Sequence, residues 1–170
     1  MKGIIIYQGK YGATERYAQW LNESLHLSIM KAGDATPEIL AGYDLIILGS
    51  SVYVGKLVMR KWLEQNLSLF TGKKLIMFIV CGTTSENKSQ QQQLINNNLD
   101  PLIRNTTKVF FLPGRCIVSK LSWMDRVILK MGAMLEKEPV KKAAMNKDFD
   151  RMDKKYLDSV ITVAGSYLNK

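Results

Sequence analysis

The chain has 170 residues, of which 46% are apolar, with 24 basic against 15 acidic side chains and a net charge of +9. That length favours one domain with a sizeable core, and no apolar run approaches the roughly 20 residues that cross a bilayer. His26 is the only histidine and Cys81 and Cys116 the only cysteines, which argues against a structural zinc site, a Ser-His-Asp machine or a Cys-His machine and favours a reducing compartment.

Met1-Lys2 leads straight into the run Ile4–Tyr7, so no secretory leader is expected. The run ends in Gln8-Gly9-Lys10-Tyr11-Gly12-Ala13-Thr14, and a helical pattern then carries Tyr17, Ala18, Leu21 and Leu25. A strand that breaks through small and hydroxyl residues into a helix is built for an anion. The first helical N–H groups have no internal partner, and the helix dipole points its positive end at the same place. Thr14 is expected to cap the helix and to offer its hydroxyl to a phosphate oxygen. The stretch is neither G-x-x-x-x-G-K-[ST] nor G-x-G-x-x-G.

Further apolar runs follow: a weak edge strand at Leu27–Met30, then Leu45–Leu48, Leu75–Val80 and Val109–Leu112. Continuous runs of this length suit strands buried on both faces, as in a parallel sheet. Between them the spacing predicts helices over residues 15–25, Pro37–Gly42, Leu57–Phe70 and Ser85–Leu99, and a terminal helix over Asp148–Leu168. Alternating strands and helices mean right-handed βαβ units, so the expected fold class is α/β, a doubly wound parallel sheet with helices on both faces. A single domain over residues 1–170 follows, with no repeat and no linker.

The loops after the first, third and fourth runs carry Gly9–Thr14, Gly49-Ser50-Ser51-Val52-Tyr53-Val54-Gly55 and Cys81-Gly82-Thr83-Thr84. Such loops meet at the carboxyl rim of a doubly wound sheet. They are nearly free of carboxylates, unlike a phosphoacceptor site that binds Mg²⁺. Together they resemble the three cofactor loops of the flavodoxin-like FMN proteins, with Gly12-Ala13-Thr14 matching the G-x-T end of the phosphate loop. Gly9 stands where that family usually has Ser or Thr. The resemblance implies a five-stranded sheet of order 2-1-3-4-5 and FMN as cofactor. It assigns Gly9, Lys10, Tyr11, Gly12, Ala13 and Thr14 to the phosphate. Ser50, Ser51, Val52, Tyr53 and Gly55 would cover one side of the ring, with Tyr53 as the stacking candidate, and Cys81, Gly82 and Thr83 would approach the other. Cys81 itself reads as a small strand-end residue, not a redox thiol.

After the last strand, residues 113–136 form an insertion-like segment. Trp123-Met124-Asp125-Arg126 and the lysine-bearing apolar helix behind it resemble menaquinone-dependent protoporphyrinogen IX dehydrogenase and its flavodoxin-like relatives. The resemblance implies an FMN-dependent oxidoreductase that passes electrons from a protoporphyrinogen-like substrate to a quinone. Residues 121–135 place Leu121, Met124, Val127, Ile128, Met131, Met134 and Leu135 on one face, with Arg126 and Lys130 beside it. Such a stripe fits packing on the sheet, covering a quinone or porphyrin, or peripheral contact with an anionic membrane through residues 117–136. Arg115 and Lys120 are candidates for substrate carboxylates, though either also reads as a solvated charge.

The alternative is a flavodoxin-type electron shuttle serving protein partners, which a +9 chain would have to find among acidic proteins. Nucleic acid is not expected, because no basic stripe interleaves with aromatics. The expected setting is the cytoplasm, with membrane association if the 117–136 face meets lipid. No metal is expected.

Overall fold

A computed structural model describes residues 1–82, 87–135 and 147–169. Its main sheet contains β1 (Gly3–Gln8), β2 (Ser28–Lys31), β3 (Leu45–Tyr53), β5 (Lys74–Cys81) and β6 (Thr107–Pro113). The order is β2-β1-β3-β5-β6, all parallel, with the two-residue β4 (Lys56–Leu57) folded back antiparallel on the end of β3. Leaving out that short return strand, the order is the expected 2-1-3-4-5.

Successive side chains of a strand point to opposite faces, and both faces here are buried. Ile4, Ile6, Ile46, Leu48, Met77 and Ile79 lie in one core with Leu40, Leu63, Phe70 and Ile103. Ile5, Ile47, Ile76 and Phe78 lie in the other with Tyr17, Leu21, Val160 and Ala164. The second core is covered by α1 (Ala13–Leu25) and α7 (Asp158–Leu168). The first is covered by α2 (Pro37–Ala41), α3 (Arg60–Gln65) and α5 (Pro101–Thr106), with α4 (Lys88–Asn98) at its margin. This three-layer arrangement leaves the carboxyl ends of β1, β3 and β5 open at one rim.

Several elements differ from the sequence reading. β3 runs on to Tyr53, then turns through Val54-Gly55 into β4. Both turn residues have positive φ, 47° and 70°, as a two-residue type I′ hairpin requires. The helix expected over Leu57–Phe70 is reduced to α3 and a 3₁₀ turn at Leu67–Phe70, because Leu57 is taken by β4. The terminal helix starts only at Asp158. Phe149 pairs with Cys116 in a small antiparallel ribbon of β7 (Arg115–Cys116) and β8 (Phe149–Asp150), and Asp153 caps a 3₁₀ turn before α7.

The helix after β7, α6 (Trp123–Leu135), belongs to neither core. Trp123 is 75% exposed and Leu135 81%, and Met124, Val127, Ile128, Met131 and Met134 are exposed with them. The apolar stripe therefore does not pack on the sheet. Among the described residues no helix is long and apolar enough to cross a membrane.

Candidate functional site

The loop between β1 and α1 is shaped by two glycines. Gly12 is the N-cap of α1 with φ 81°, a left-handed conformation that L side chains avoid. A Cβ on Gly9 would stand 2.7 Å from both Cβ and Oγ1 of Thr14, so this position has no room for a serine or threonine. Thr14 is not the cap. It lies inside α1, is 1% exposed, and its Oγ1 is buried with no hydrogen-bond partner. The first bond of the helix runs from Arg16 N–H to Gly12 O at 3.0 Å, which leaves the amides before Arg16 without a carbonyl inside the helix.

The second loop is the β3–β4 hairpin. Ser50 is fully buried and committed: its Oγ donates to Ser51 O at 3.1 Å and accepts from Met59 N–H at 3.2 Å. Ser51 Oγ is buried without a partner. Gly55 sits in the turn, where its carbonyl accepts from Asn98 Nδ2 at 3.0 Å. The third loop begins at Cys81 and Gly82, and Gly82 approaches the Phe149 ring of β8 closely enough that a Cβ there would meet it at 3.2 Å. Thr83 lies outside the described residues.

These three loops bound one cleft. Its lining includes Lys10, Tyr11, Ala13, Thr14, Ser51, Val52, Tyr53, Cys81, Gly82 and Arg115, joined by Val80 and Gly114. Gly9 and Gly12 line a neighbouring recess of about 430 Å³ between this loop and the turn after β2. Ser50 and Gly55 do not line the three-loop cleft, and Lys120 lies in an exposed 3₁₀ turn beyond it. Of the two, the three-loop cleft is the better candidate, because all three strand-end loops line it and two of its lining residues, Thr14 and Ser51, have buried hydroxyls without a partner. Its free volume is only about 100 Å³, below the roughly 300 Å³ at which sites for drug-sized ligands begin.

Three of the lining residues, Lys10, Tyr11 and Tyr53, are tied into a polar cluster centred on Asp125, which is 5% exposed in the first turn of α6. Lys10 Nζ approaches its carboxylate at 2.8 Å, Tyr53 OH donates at 2.5 Å, and Tyr11 OH also donates to it. Tyr11 OH in turn accepts from Ser122 N–H at 3.3 Å, and Asp125 N–H donates to Ser122 Oγ at 3.2 Å. Lys10 Nζ stands 3.6 Å over the Tyr53 ring. Burial works against the Asp125 charge, but the bonds from Lys10, Tyr11, Tyr53 and Ser122 outweigh it and hold the carboxyl well below the usual range. Partial burial likewise opposes the Lys10 charge, and Asp125 and Tyr53 override it and raise the ammonium pKa. Sequence reasoning singled out the stretch around Asp125 but not its role. The legible signal was one acidic residue opening an otherwise apolar helix.

No disulfide links Cys81 and Cys116. Burial, followed by the nearby Asp148 carboxylate, pushes the Cys116 thiol up and away from thiolate chemistry. Among the described residues no cluster of His, Cys, Asp or Glu is placed to hold a metal ion.

A phosphate group fits the start of α1 on this chain's own features: an open helix N-terminus, a glycine in the left-handed region, and the buried Thr14 hydroxyl that lacks a partner. Comparison with known proteins agrees at the level of fold. The chain is similar to flavodoxin 1 from Bacillus cereus, with 18% identity, 66% of this chain and 84% of the other covered, and a TM-score of 0.50. It is similar in the same degree to the Trp repressor binding protein of Bacillus subtilis, with 13% identity, 66% and 85% coverage, and a TM-score of 0.50. An uncharacterized protein of Methanocaldococcus jannaschii is 32% identical over 85 residues, covering 48% of this chain. The match spans 55% of that relative's length. The flavodoxin domain family model matches residues 4–143, and the chain belongs to that family.

Proposed function

We propose that this chain binds FMN and acts as an FMN-dependent oxidoreductase. The observation that carries the reading is the convergence of three strand-end loops on one cleft, beside the open N-terminus of α1, whose lining residues Thr14 and Ser51 have buried hydroxyls without partners. FMN, when bound, supplies the electron-transfer chemistry. The chain's residues hold and orient it. The α1 amides, with Thr14, would hold the phosphate tail, and Ser51, Val52, Tyr53, Cys81 and Gly82 would flank the ring.

The finer reading is oxidation of a protoporphyrinogen-like substrate with a quinone as acceptor. Its support is the resemblance of the Trp123–Arg126 stretch and the exposed apolar face of α6, flanked by Arg126 and Lys130. A methionine-rich face with basic flanks suits an apolar acceptor or the surface of an anionic bilayer, and Lys120 lies near it for a substrate carboxylate. In this reading the chain works in the reducing cytoplasm, at the membrane surface.

The test is spectroscopic. The purified chain, loaded with FMN and reduced, is mixed anaerobically with a menaquinone analogue. Rapid return of the oxidised spectrum is expected. Reoxidation by a small electron-transfer protein alone, with no response to the quinone, would replace this reading with that of a protein-to-protein shuttle.

A further inference from the structure

We infer that Arg115, carried on the β7–β8 ribbon beyond the last strand of the main sheet, supplies the positive charge that binds the phosphate of FMN and makes the cleft selective for a phosphorylated flavin. The assignment rests on the FMN reading above and adds to it a residue outside the three loops.

Three observations meet at one place. A Cβ on Gly12 would stand 3.3 Å from Arg115 Nη2, so the guanidinium lies directly over the N-cap of α1. Thr14 Oγ1, buried and without a partner, lines the same cleft as Arg115. Among the described residues, no carboxylate or carbonyl holds the Arg115 side chain. The neighbouring acidic groups are engaged elsewhere. Asp125 is taken by Lys10, Tyr11 and Tyr53, Glu15 Oε1 accepts from Tyr7 OH at 2.7 Å on the side of the other recess, and Asp150 Oδ1 accepts from Met152 N–H at 3.0 Å.

The root of the side chain is fixed. Arg115 pairs with Asp150 across the ribbon, and Arg151 N–H donates to Gly114 O at 3.2 Å. The ribbon is seated on the third loop through Phe149 against Gly82. An unpaired guanidinium beside an open helix N-terminus is a strong arrangement for a dianion, because its planar fork can give two parallel hydrogen bonds. It also accounts for Gly9. The Thr14 side chain leaves no room there for a hydroxyl residue, and the Arg115 cation takes over the role that such a donor would fill.

The experiment is a pair of titrations, FMN and riboflavin, followed by flavin fluorescence on the full chain and on Arg115→Met and Arg115→Lys. The wild-type chain is expected to bind FMN more tightly than riboflavin. Arg115→Met should weaken FMN roughly 10–100-fold, the usual weight of hydrogen bonds to a charged group, and leave riboflavin unchanged. Arg115→Lys should recover part of the loss. Unchanged riboflavin affinity also shows that the variant is folded. FMN affinity in Arg115→Met equal to wild type overturns the assignment and leaves the flavin reading standing. A wild-type chain that binds neither flavin overturns both.

Discussion

Among the residues lining the cleft, Thr14 Oγ1 and Ser51 Oγ are buried with nothing to bond to. Lys10, Tyr11 and Tyr53, which line it too, are all drawn onto a single carboxylate, Asp125. Native proteins pair nearly all their buried polar atoms, so in the FMN reading the two unpaired hydroxyls are where the ligand would bond, while the Asp125 cluster is satisfied by the chain itself. The contrast separates two tasks: in the FMN reading the unpaired hydroxyls serve the bound ligand, and the Asp125 cluster anchors α6. That helix buries almost none of its apolar stripe, so the Asp125 cluster ties it to Lys10 and Tyr11 of the β1–α1 loop and to Tyr53 at the end of β3.

The largest effect is expected from breaking the Asp125 cluster. Asp125→Ala leaves an ammonium and two phenols without their shared acceptor and should cost about 3 kcal/mol, with early proteolytic cleavage near α6. The pH dependence follows from the depressed Asp125 pKa. Its contribution is complete above the ordinary aspartate pKa of about 3.9 and is lost as pH falls below it. Acid denaturation of Asp125→Asn should therefore show a shallower dependence in that range, and an unchanged acid limb would remove the cluster from the account.

Next comes the phosphate loop. Gly9→Ala sets a Cβ 2.7 Å from the Thr14 side chain, which should cost about 1–3 kcal/mol as overpacking and lower FMN affinity by displacing Thr14. Thr14→Val is the sharper variant, because its two effects have opposite signs. Replacing an unpaired buried hydroxyl by a methyl should stabilise the ligand-free chain by about 1 kcal/mol, while FMN binding weakens roughly tenfold. A loss of ligand-free stability would mean that the hydroxyl is already satisfied.

The smallest effect lies at the hairpin. Val54, a β-branched residue at φ 47° and 65% exposed, occupies a position that Asn fills with less strain. Val54→Asn should raise the melting midpoint by an amount equivalent to about 0.5–1 kcal/mol.

What the sequence made legible follows the same division. The buried strands announced themselves as continuous apolar runs, and β1, β3, β5 and β6 lie over them. The phosphate loop was readable because its parts are adjacent in the chain. The end of β3 was not, since Gly49-Ser50-Ser51 looks like a loop until β4 folds back on Val52 and Tyr53. Helix α5 opens on Asp100-Pro101, a cap followed by a proline at the first helical position, but its 6 residues are too few for an apolar period to show. The late start of α7 and the Asp125 cluster depend on contacts between distant residues. Phe149 pairs with Cys116, and Lys10 reaches Asp125 across 115 positions. No local periodicity encodes either.

The central claim is that the three loops at the carboxyl rim form a site for FMN. A calorimetric titration of the purified chain with FMN tests it most directly. The account predicts saturable binding of one FMN per chain, with quenching of the flavin fluorescence. Absence of heat together with unquenched fluorescence, at flavin concentrations well above those of ordinary cofactor sites, would contradict it.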